Sequence, residues 1–509
     1  MVHMSESEGI EGRTFVVTGG TGFPGATLCL ELVNRGAGEV RAYDVSETSP
    51  WLSRLRSKGV KCIIGDIRNK EDVKRVLKGA DCVFHLASSG MSGKEMLQSR
   101  FVDEVNLNGT CNVLDSCIEN GVQRLVYTST YNVVFGGQEI VNGNEAMPYF
   151  PIKDHVDSYG RSKALAEQLV LKSNGCKLRG SKGQKLNTCA VRPAAIYGPE
   201  ERRHFPRILA MAQLGLLLFR VGGPDVRNDW LYIDNFVNAQ LLASMALLID
   251  VPGREGYAPA AGQAYFISDG NALSLISALG CITLHVTFFQ SSVFRCAPVN
   301  SFKFLQQIVE GLGYSYPERE LSVRAALVLA WFFWGVYSLL YPLLKSTWMP
   351  EPFLLPAEVY KVGVTHYFSL LKAREELGYV PLVDQKEGIR NTLAFFKEKE
   401  KKGVIRPLFI WWFLIVFGFF ALFCCAFVPR PFLGPMKWLQ SLGILLHGSV
   451  KNLQIVFFLA WLAHLLEASY AWRLAKKVDT MNAKAWFEQT LLLGYPSLRL
   501  LLKRSHLKE

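Results

Sequence analysis

From residue 14 to about 250, short β-rich apolar runs alternate with segments whose apolar residues recur at helical spacing. TFVVTG (14–19), EVRAYDV (39–45), VKCIIGD (60–66), CVFHLAS (82–88), RLVYTST (124–130) and NTCAVRPAAIYG (187–198) predict strands. RFVDEVNLNGTCNVLDSCIEN (100–120), between two of them, predicts a helix. Such alternation predicts an α/β domain over 13–250, a doubly wound parallel sheet with helices on both faces, behind a flexible stretch 1–12. A smaller region, 251–403, is less regular and rich in Pro, Gly and aromatics. Inside it AALVLAWFFWGVYSLLYPLL (325–344) runs without charge between Arg324 and Lys345. It reads as a buried helix or as a membrane-associated or re-entrant one.

After 403 the pattern changes to that of a helical membrane domain, 404–509. Residues 408–428 carry no charge, and such a helix matches a hydrocarbon core of roughly 30 Å. A second apolar run covers about 453–472 and a shorter one about 486–502. His464 and Glu467 stand on one face of the second, read first as a hydrogen-bonded pair between helices and second as a functional pair.

Composition adjusts this picture. The net charge of +12 admits nucleic acid or anionic lipid. The absence of zinc spacing or an aromatic-rich RNA motif weighs against nucleic acid and gives no metal site. Basic residues gather beside the apolar runs instead, in KEKEKKGVIR (397–406) and WRLAKK (472–477), as cytoplasmic flanks do. Eleven cysteines with no CxxC pair read as reduced thiols. The polar start MVHMSESEGIEG is no signal peptide, so the first domain is expected in the cytosol.

TGGTGFPG places Gly19, Gly22 and Gly25 at GxxGxxG spacing, and Gly20, Gly22 and Gly25 at GxGxxG, between a strand and a helix. That context predicts a Rossmann-type dinucleotide turn, with pyrophosphate at the helix N-terminus. Pro24 suits the first helical turn. Asp44, 19 residues after Gly25, is placed to accept from ribose hydroxyls and repel a 2′-phosphate, which favours NAD over NADP. Arg41 should alternate away along the strand, and Asp66 lies towards the adenine side.

DSYGRSK (157–163) sets Tyr159 and Lys163 on one helix face. A nearby ammonium and a positive nicotinamide ring both favour the tyrosinate, making Tyr159 a candidate general base. YTST supplies hydroxyls about 30 residues upstream.

Together with GDIR (65–68), VNLNGT (105–110), YTSTYNVVFGG (127–137), RPAAIYGP (192–199), WLYIDN (230–235) and LKAREELGYVP (371–381), these motifs resemble the extended short-chain dehydrogenases over about 13–400. Within them the chain looks most like the 3β-hydroxysteroid dehydrogenase/isomerase branch. The resemblance implies Tyr159 as base, Lys163 on the nicotinamide ribose, and Thr130, preceded by Ser129, where a serine usually orients substrate. It implies Asn106 as holder of a proton-relay water. Phe23, Ile67, Pro193 and Ile196 are implied to touch cofactor, and Tyr197 onward to reach the substrate region. It also implies an endoplasmic reticulum membrane and allows a homodimer.

Between YFISDG (265–270) and PVNSFKFL (298–305), 271–297 intervene where relatives run almost directly on. They read either as a lid or as intron sequence carried into the chain, the latter preferred. The tail HLLEASYAW (464–472) with WFEQTLLLGYPSL (486–498) resembles small multi-span membrane domains and, more distantly, the emopamil-binding-type sterol isomerase bundle.

A lipid-dissolved substrate explains a tethered cytosolic site, since each buried CH₂ favours lipid by roughly 0.8 kcal/mol. The expected activity is oxidation of a 3β-hydroxy steroid or sterol. The alternatives are a decarboxylating sterol 4α-carboxylate 3-dehydrogenase and a non-catalytic NAD- or sterol-binding membrane protein. The basic loop after the second run implies two spans, and a third would place the C-terminus in the lumen, against Lys503, Arg504 and Lys508.

Overall fold

The six strand-like runs are too apolar to face water, and with a seventh they form one parallel sheet. The computed structural model describes residues 7–180, 183–251, 255–270, 299–344, 352 and 354–506, and the stretch 271–297 lies outside these. The strands are β1 (Thr14–Thr18), β2 (Glu39–Asp44), β3 (Lys61–Ile64), β4 (Cys82–His85), β5 (Arg124–Thr128), β6 (Asn187–Pro193) and β7 (Ala264–Ile267). Their order is 3-2-1-4-5-6-7, with every neighbouring pair parallel. The chain reverses direction across the sheet between β1 and β4, which opens a crevice at the carboxyl ends of the strands. β4 and β6 are buried along their whole length, as helices on both faces require. The predicted strand 187–198 ends early, at Pro193, and Ala195–Tyr197 pairs instead with Trp230–Tyr232.

One buried polar chain ties the sheet centre to α2 (Gly109–Asn120), which follows α1 (Phe23–Asn34). The amides of Leu86 and Ala87 donate to Thr18 Oγ1, which lies 2.7 Å from His85 Nδ1. His85 Nε2 lies 2.9 Å from Thr110 Oγ1, which donates to the carbonyl of Asn106. The chain runs in one direction only if His85 is neutral with its proton on Nε2. Burial, aided by Lys163, pushes its pKa down to about 3, which keeps it so.

The chain divides into two compact units. The first holds Met1–Arg203, Phe219–Gln307 and Arg319–Thr392, with the sheet, α3 (Ser158–Lys172), α4 (Ile233–Ala246) and α5 (Val323–Leu344). The second holds His204–Leu218, Ile308–Glu318 and Leu393–Glu509. From residue 409 on its helices are α6 (Phe409–Phe427), α7 (Lys437–His447), α8 (Val450–Val478), α9 (Ala483–Leu493) and α10 (Tyr495–His506).

Among the described residues, three helices are long and apolar enough to cross a membrane: Val323–Tyr341 within α5, α6 and α8. The last turn of α6 leaves carbonyls without helical donors, and Gln440 and Gln454 donate to Cys425 O and Ala426 O. The run 486–502 is not one helix. Gly494, at φ 62° and ψ −139°, breaks it into α9 and α10. A Cβ there would lie 2.7 Å from both His464 Nε2 and Glu467 Oε2, so the break packs against the polar face of α8. α10 then returns to the end of the bundle where α8 finishes: Arg504 pairs with Asp479 at 3.2 Å and donates to Gly403 O. A tag appended after Glu509 is therefore expected on the same side of the membrane as Gly403. Protease protection of sealed microsomes checks this, and a protected tag beside an exposed Gly403 refutes it.

Candidate active site

The sheet's switch point sets a glycine turn at the start of α1. Gly19 has φ 69°, and a Cβ there would lie 2.9 Å from Ala87 N. A Cβ on Gly25 would lie 2.1 Å from Gly19 O, so the turn and α1 close only around bare backbone. α1 begins at Phe23, with Gly22 as N-cap, Pro24 in its first turn and no acidic residue there, leaving the positive end of the helix uncompensated. Asp44, at the end of β2, closes the turn by accepting from Thr21 N at 3.0 Å and Ser46 N at 3.2 Å. Arg41 is held away, donating to Val76 O at 2.6 Å and Lys78 O at 2.7 Å.

Asp66 lines an open cleft of about 470 Å³ with Arg68, Asn69, Glu104 and Asn108. It is paired with Arg68 at 2.6 Å. Ile67 is buried against Gly109. Phe23 lies beside Gly198, Pro193 ends β6, and Ile196 is paired with Leu231.

α3 carries Tyr159 and Lys163. Asp157 caps it, accepting from Gly160 N at 2.6 Å, and also pairs with Lys361 at 2.9 Å. The Lys361 ammonium lies 5.7 Å from the centre of the Tyr159 ring. Tyr159 is 5% exposed. Burial pushes its pKa up to about 12, Arg203 and the hydrogen-bonding hydroxyls of Thr130 and Ser88 pull it down, and Asp157 raises it. Thr130 is fixed in turn by Asn132, whose side-chain amide donates to Oγ1 at 2.9 Å.

Ser129 is turned the other way. Its hydroxyl donates to Glu167, a fully buried carboxylate that also accepts from Tyr149 at 2.8 Å and from Arg192 through Nε and Nη2. Of the two adjacent hydroxyls, Thr130 alone meets Tyr159. Lys163 shares a helix face with Tyr159, but its ammonium donates to Thr128 O at 2.5 Å and lies 4.1 Å from the centre of the Tyr127 ring. Burial brings its pKa down to about 7. The cations that act on Tyr159 in this arrangement are Arg203, which lowers the pKa of its hydroxyl, and Lys361, which stands over its ring.

Asn106 sits in a π-helical widening, Glu104–Asn108. Its amide accepts from Ser89 N at 2.8 Å and donates to Ser89 O and Ser162 Oγ, both at 2.9 Å. It thus joins the loop after β4 to α3. The motifs do not single out Ser88, Arg203, Lys361 or Asp157 as site residues. Asp157 had a signal as a cap before SYGR, and Ser88 as a strand-end hydroxyl in HLASSG. Lys361, 204 residues from its partner, had none.

The buried Lys163 generates a stability prediction. Its unfolded pKa is about 10.4 and its folded one about 7, so stability is complete above about 10.4 and is lost as pH falls to about 7. Lys163→Met should unfold at a higher temperature than the unmodified chain at pH 6, with the gap closing towards pH 10. Thermal melts of the full chain in detergent across that range check this.

Residues 16–282 match the 3-beta hydroxysteroid dehydrogenase/isomerase family, and residues 410–503 match transmembrane protein 254. The chain is 41% identical to short-chain dehydrogenase/reductase family 42E member 1 of Homo sapiens, over 80% of this chain and 93% of that one. The Danio rerio protein of the same name is 40% identical over 79% and 94%. The 3beta-hydroxysteroid-dehydrogenase/decarboxylase isoform 1 of Arabidopsis thaliana is 34% identical over 75% and 80%. The dTDP-glucose 4,6-dehydratase DesIV of Streptomyces venezuelae shares the fold, with a TM-score of 0.54 at 18% identity over 76% of this chain and 98% of that one. Sheet order, glycine turn and these relatives agree: the chain belongs to the 3-beta hydroxysteroid dehydrogenase/isomerase family.

Proposed function

We propose that this chain oxidises the 3β-hydroxyl of a membrane-dissolved steroid or sterol to a ketone. The observation that carries the reading is the convergence of Thr130, Ser88 and Arg203 on the buried Tyr159, at the carboxyl edge of the sheet beside the glycine turn. A nicotinamide dinucleotide fits the residues present, because the bare-backbone cradle at Gly19, Gly22 and Gly25 lies against an uncompensated helix N-terminus. When bound, it supplies the acceptor for the hydride leaving the carbinol carbon. Asp44, Phe23, Asp66, Ile67, Pro193, Ile196 and Lys163 are the further residues proposed to hold it. NAD is preferred over NADP, since Asp44 repels a 2′-phosphate and Arg41 is committed to backbone carbonyls.

In this reading Tyr159 takes the substrate's hydroxyl proton. Thr130 and Ser88 orient that hydroxyl and stabilise the tyrosinate by donating to it, and Arg203 adds a positive field. Asn106 fixes the approach of α3 to the loop bearing Ser88 and Ser89. The division into a cofactor part, 13–250, a substrate part, 251–403, and a membrane part from 404 follows the same reading. The basic flanks at 397–406 and 472–477 support a cytosolic side for the catalytic unit, and the family supports the endoplasmic reticulum as its membrane.

A sterol bearing a carboxylate beside the 3-hydroxyl is the second reading, with loss of CO₂ from the β-keto acid product. Arg203 favours it, because its guanidinium is 42% exposed and its pairing with Glu95 is long, at 3.9 Å, so a substrate carboxylate can meet it.

Two outcomes test these readings. Membranes carrying the chain, given NAD and 3β-hydroxysteroids or 4-carboxysterols, should show reduced-cofactor fluorescence that falls about 10²–10⁴-fold in Tyr159→Phe. A Tyr159→Phe signal equal to the unmodified chain's sinks the dehydrogenase. Arg203→Leu should shift the alkaline rise of the rate to higher pH, since it removes a charge that lowers Tyr159. On the second reading it should also raise KM for the carboxysterol about tenfold while leaving KM for a neutral steroid unchanged.

A further inference from the structure

We infer that Asn132 is a positioning residue that fixes the direction of the hydrogen bond between Thr130 and Tyr159, so that Thr130 gives a proton towards the base and cannot receive one. This rests on the reading of Tyr159 as the general base and adds a residue to it.

A threonine hydroxyl has one proton to donate and two lone pairs with which to accept. Both lone pairs of Thr130 Oγ1 are taken by the same neighbour. The main-chain N–H of Asn132 donates to it at 3.2 Å, and the side-chain amide of Asn132 donates to it at 2.9 Å. The first bond belongs to the turn, since Thr130, at φ −165° and ψ 154°, caps the short helix Tyr131–Val133. The second depends on the side chain at 132 alone. An alanine there would keep the cap and free one lone pair.

With both lone pairs occupied, Oγ1 has only its own proton left to offer, and Tyr159 is the group that meets it. Thr130 is 5% exposed and Asn132 6%, so water has little access to either. The carbonyl of Asn132 also lies against the head of α3, where a Cβ on Gly160 would stand 3.3 Å from it. The residue that orients the hydroxyl is thereby packed on the helix that carries the base.

The fixed direction has a chemical consequence. A donor-only hydroxyl stabilises the tyrosinate, whose oxygen accepts, and offers nothing to the neutral phenol, whose own proton needs an acceptor. The two N–H groups on Oγ1 also polarise its O–H bond and strengthen the donation. A substrate hydroxyl between Thr130 and Tyr159 can therefore pass its proton only to Tyr159. No such pair of donors sits on Ser88, the second hydroxyl at Tyr159, among the described residues. Ser88 can serve the base in both of its charge states, and Thr130 in one.

The test places a difluorotyrosine at position 159 of the full chain in detergent micelles. The fluorines lower the phenol's pKa by induction, and their NMR shift reports its ionisation without turnover. Asn132→Ala, and Asn132→Leu, which keeps the bulk, should each raise the titration midpoint by about one pH unit. The shift should persist beside Ser88→Ala and vanish, to within about 0.3 unit, beside Thr130→Val. A midpoint left unchanged or lowered by both Asn132 variants overturns the proposal. A shift of the same size beside Thr130→Val gives Asn132 a packing role only and also overturns it. Since no substrate is consumed, the dehydrogenase reading stands or falls separately, on turnover in Tyr159→Phe membranes.

Discussion

Everything at the candidate site hangs on one buried carboxylate. Glu167 is inaccessible to solvent, and it binds Arg192 on β6, Ser129 at the end of β5, and Tyr149. It therefore fixes α3 to the carboxyl ends of two strands at once. Such a pair is stabilising only while intact, because removing one partner strands a charge at a cost of about 3–5 kcal/mol. It also settles which hydroxyl faces the tyrosine. Successive residues at a strand end point to opposite sides, so Ser129 is drawn to Glu167 and Thr130 is left for Tyr159.

The fold was largely legible in the sequence because the sheet is buried on both faces, so its strands appear as unbroken apolar runs. The glycine turn was legible for a steric reason, since a Cβ at Gly25 has no room. The site was legible only where its residues lie close in sequence. Spacing put Tyr159 and Lys163 on one face, but it could not show that the Lys163 ammonium is taken up by Thr128 and Tyr127. Nor could it show Lys361 or Arg203, which arrive from distant segments. The apolar run at 486–502 misleads for a different reason: a hydropathy pattern does not register the backbone angle of Gly494.

The first unit manages its buried charge by neutralisation as much as by pairing. His85 is held neutral between two threonines, and Lys163 titrates near neutrality because burial outweighs the pull of Glu167. Asp229 and Asp269, both raised to about 7 by burial, accept from the amides of Phe368 and Tyr232. Asp229 thereby holds the strand His366–Phe368. Asp269 also holds the start of α4, accepting from Tyr232 N and from the side-chain amide of Asn235.

The break at Gly494 also dictates an order of assembly. At about 1.5 Å per residue, α9 and α10 are each roughly 16–18 Å long, little more than half a hydrocarbon core. Alone in lipid, their facing ends would expose unpaired backbone groups at several kcal/mol each. Within the bundle His464 Nδ1 takes up the carbonyl of Leu491 at 3.0 Å, and Ser497 bonds Gln489 and Thr490 across the break. The hairpin is thus stable only against an α8 already in place. Its depth is set by a docking step after insertion, and the last helices to be synthesised have their destination written in the side of an earlier one.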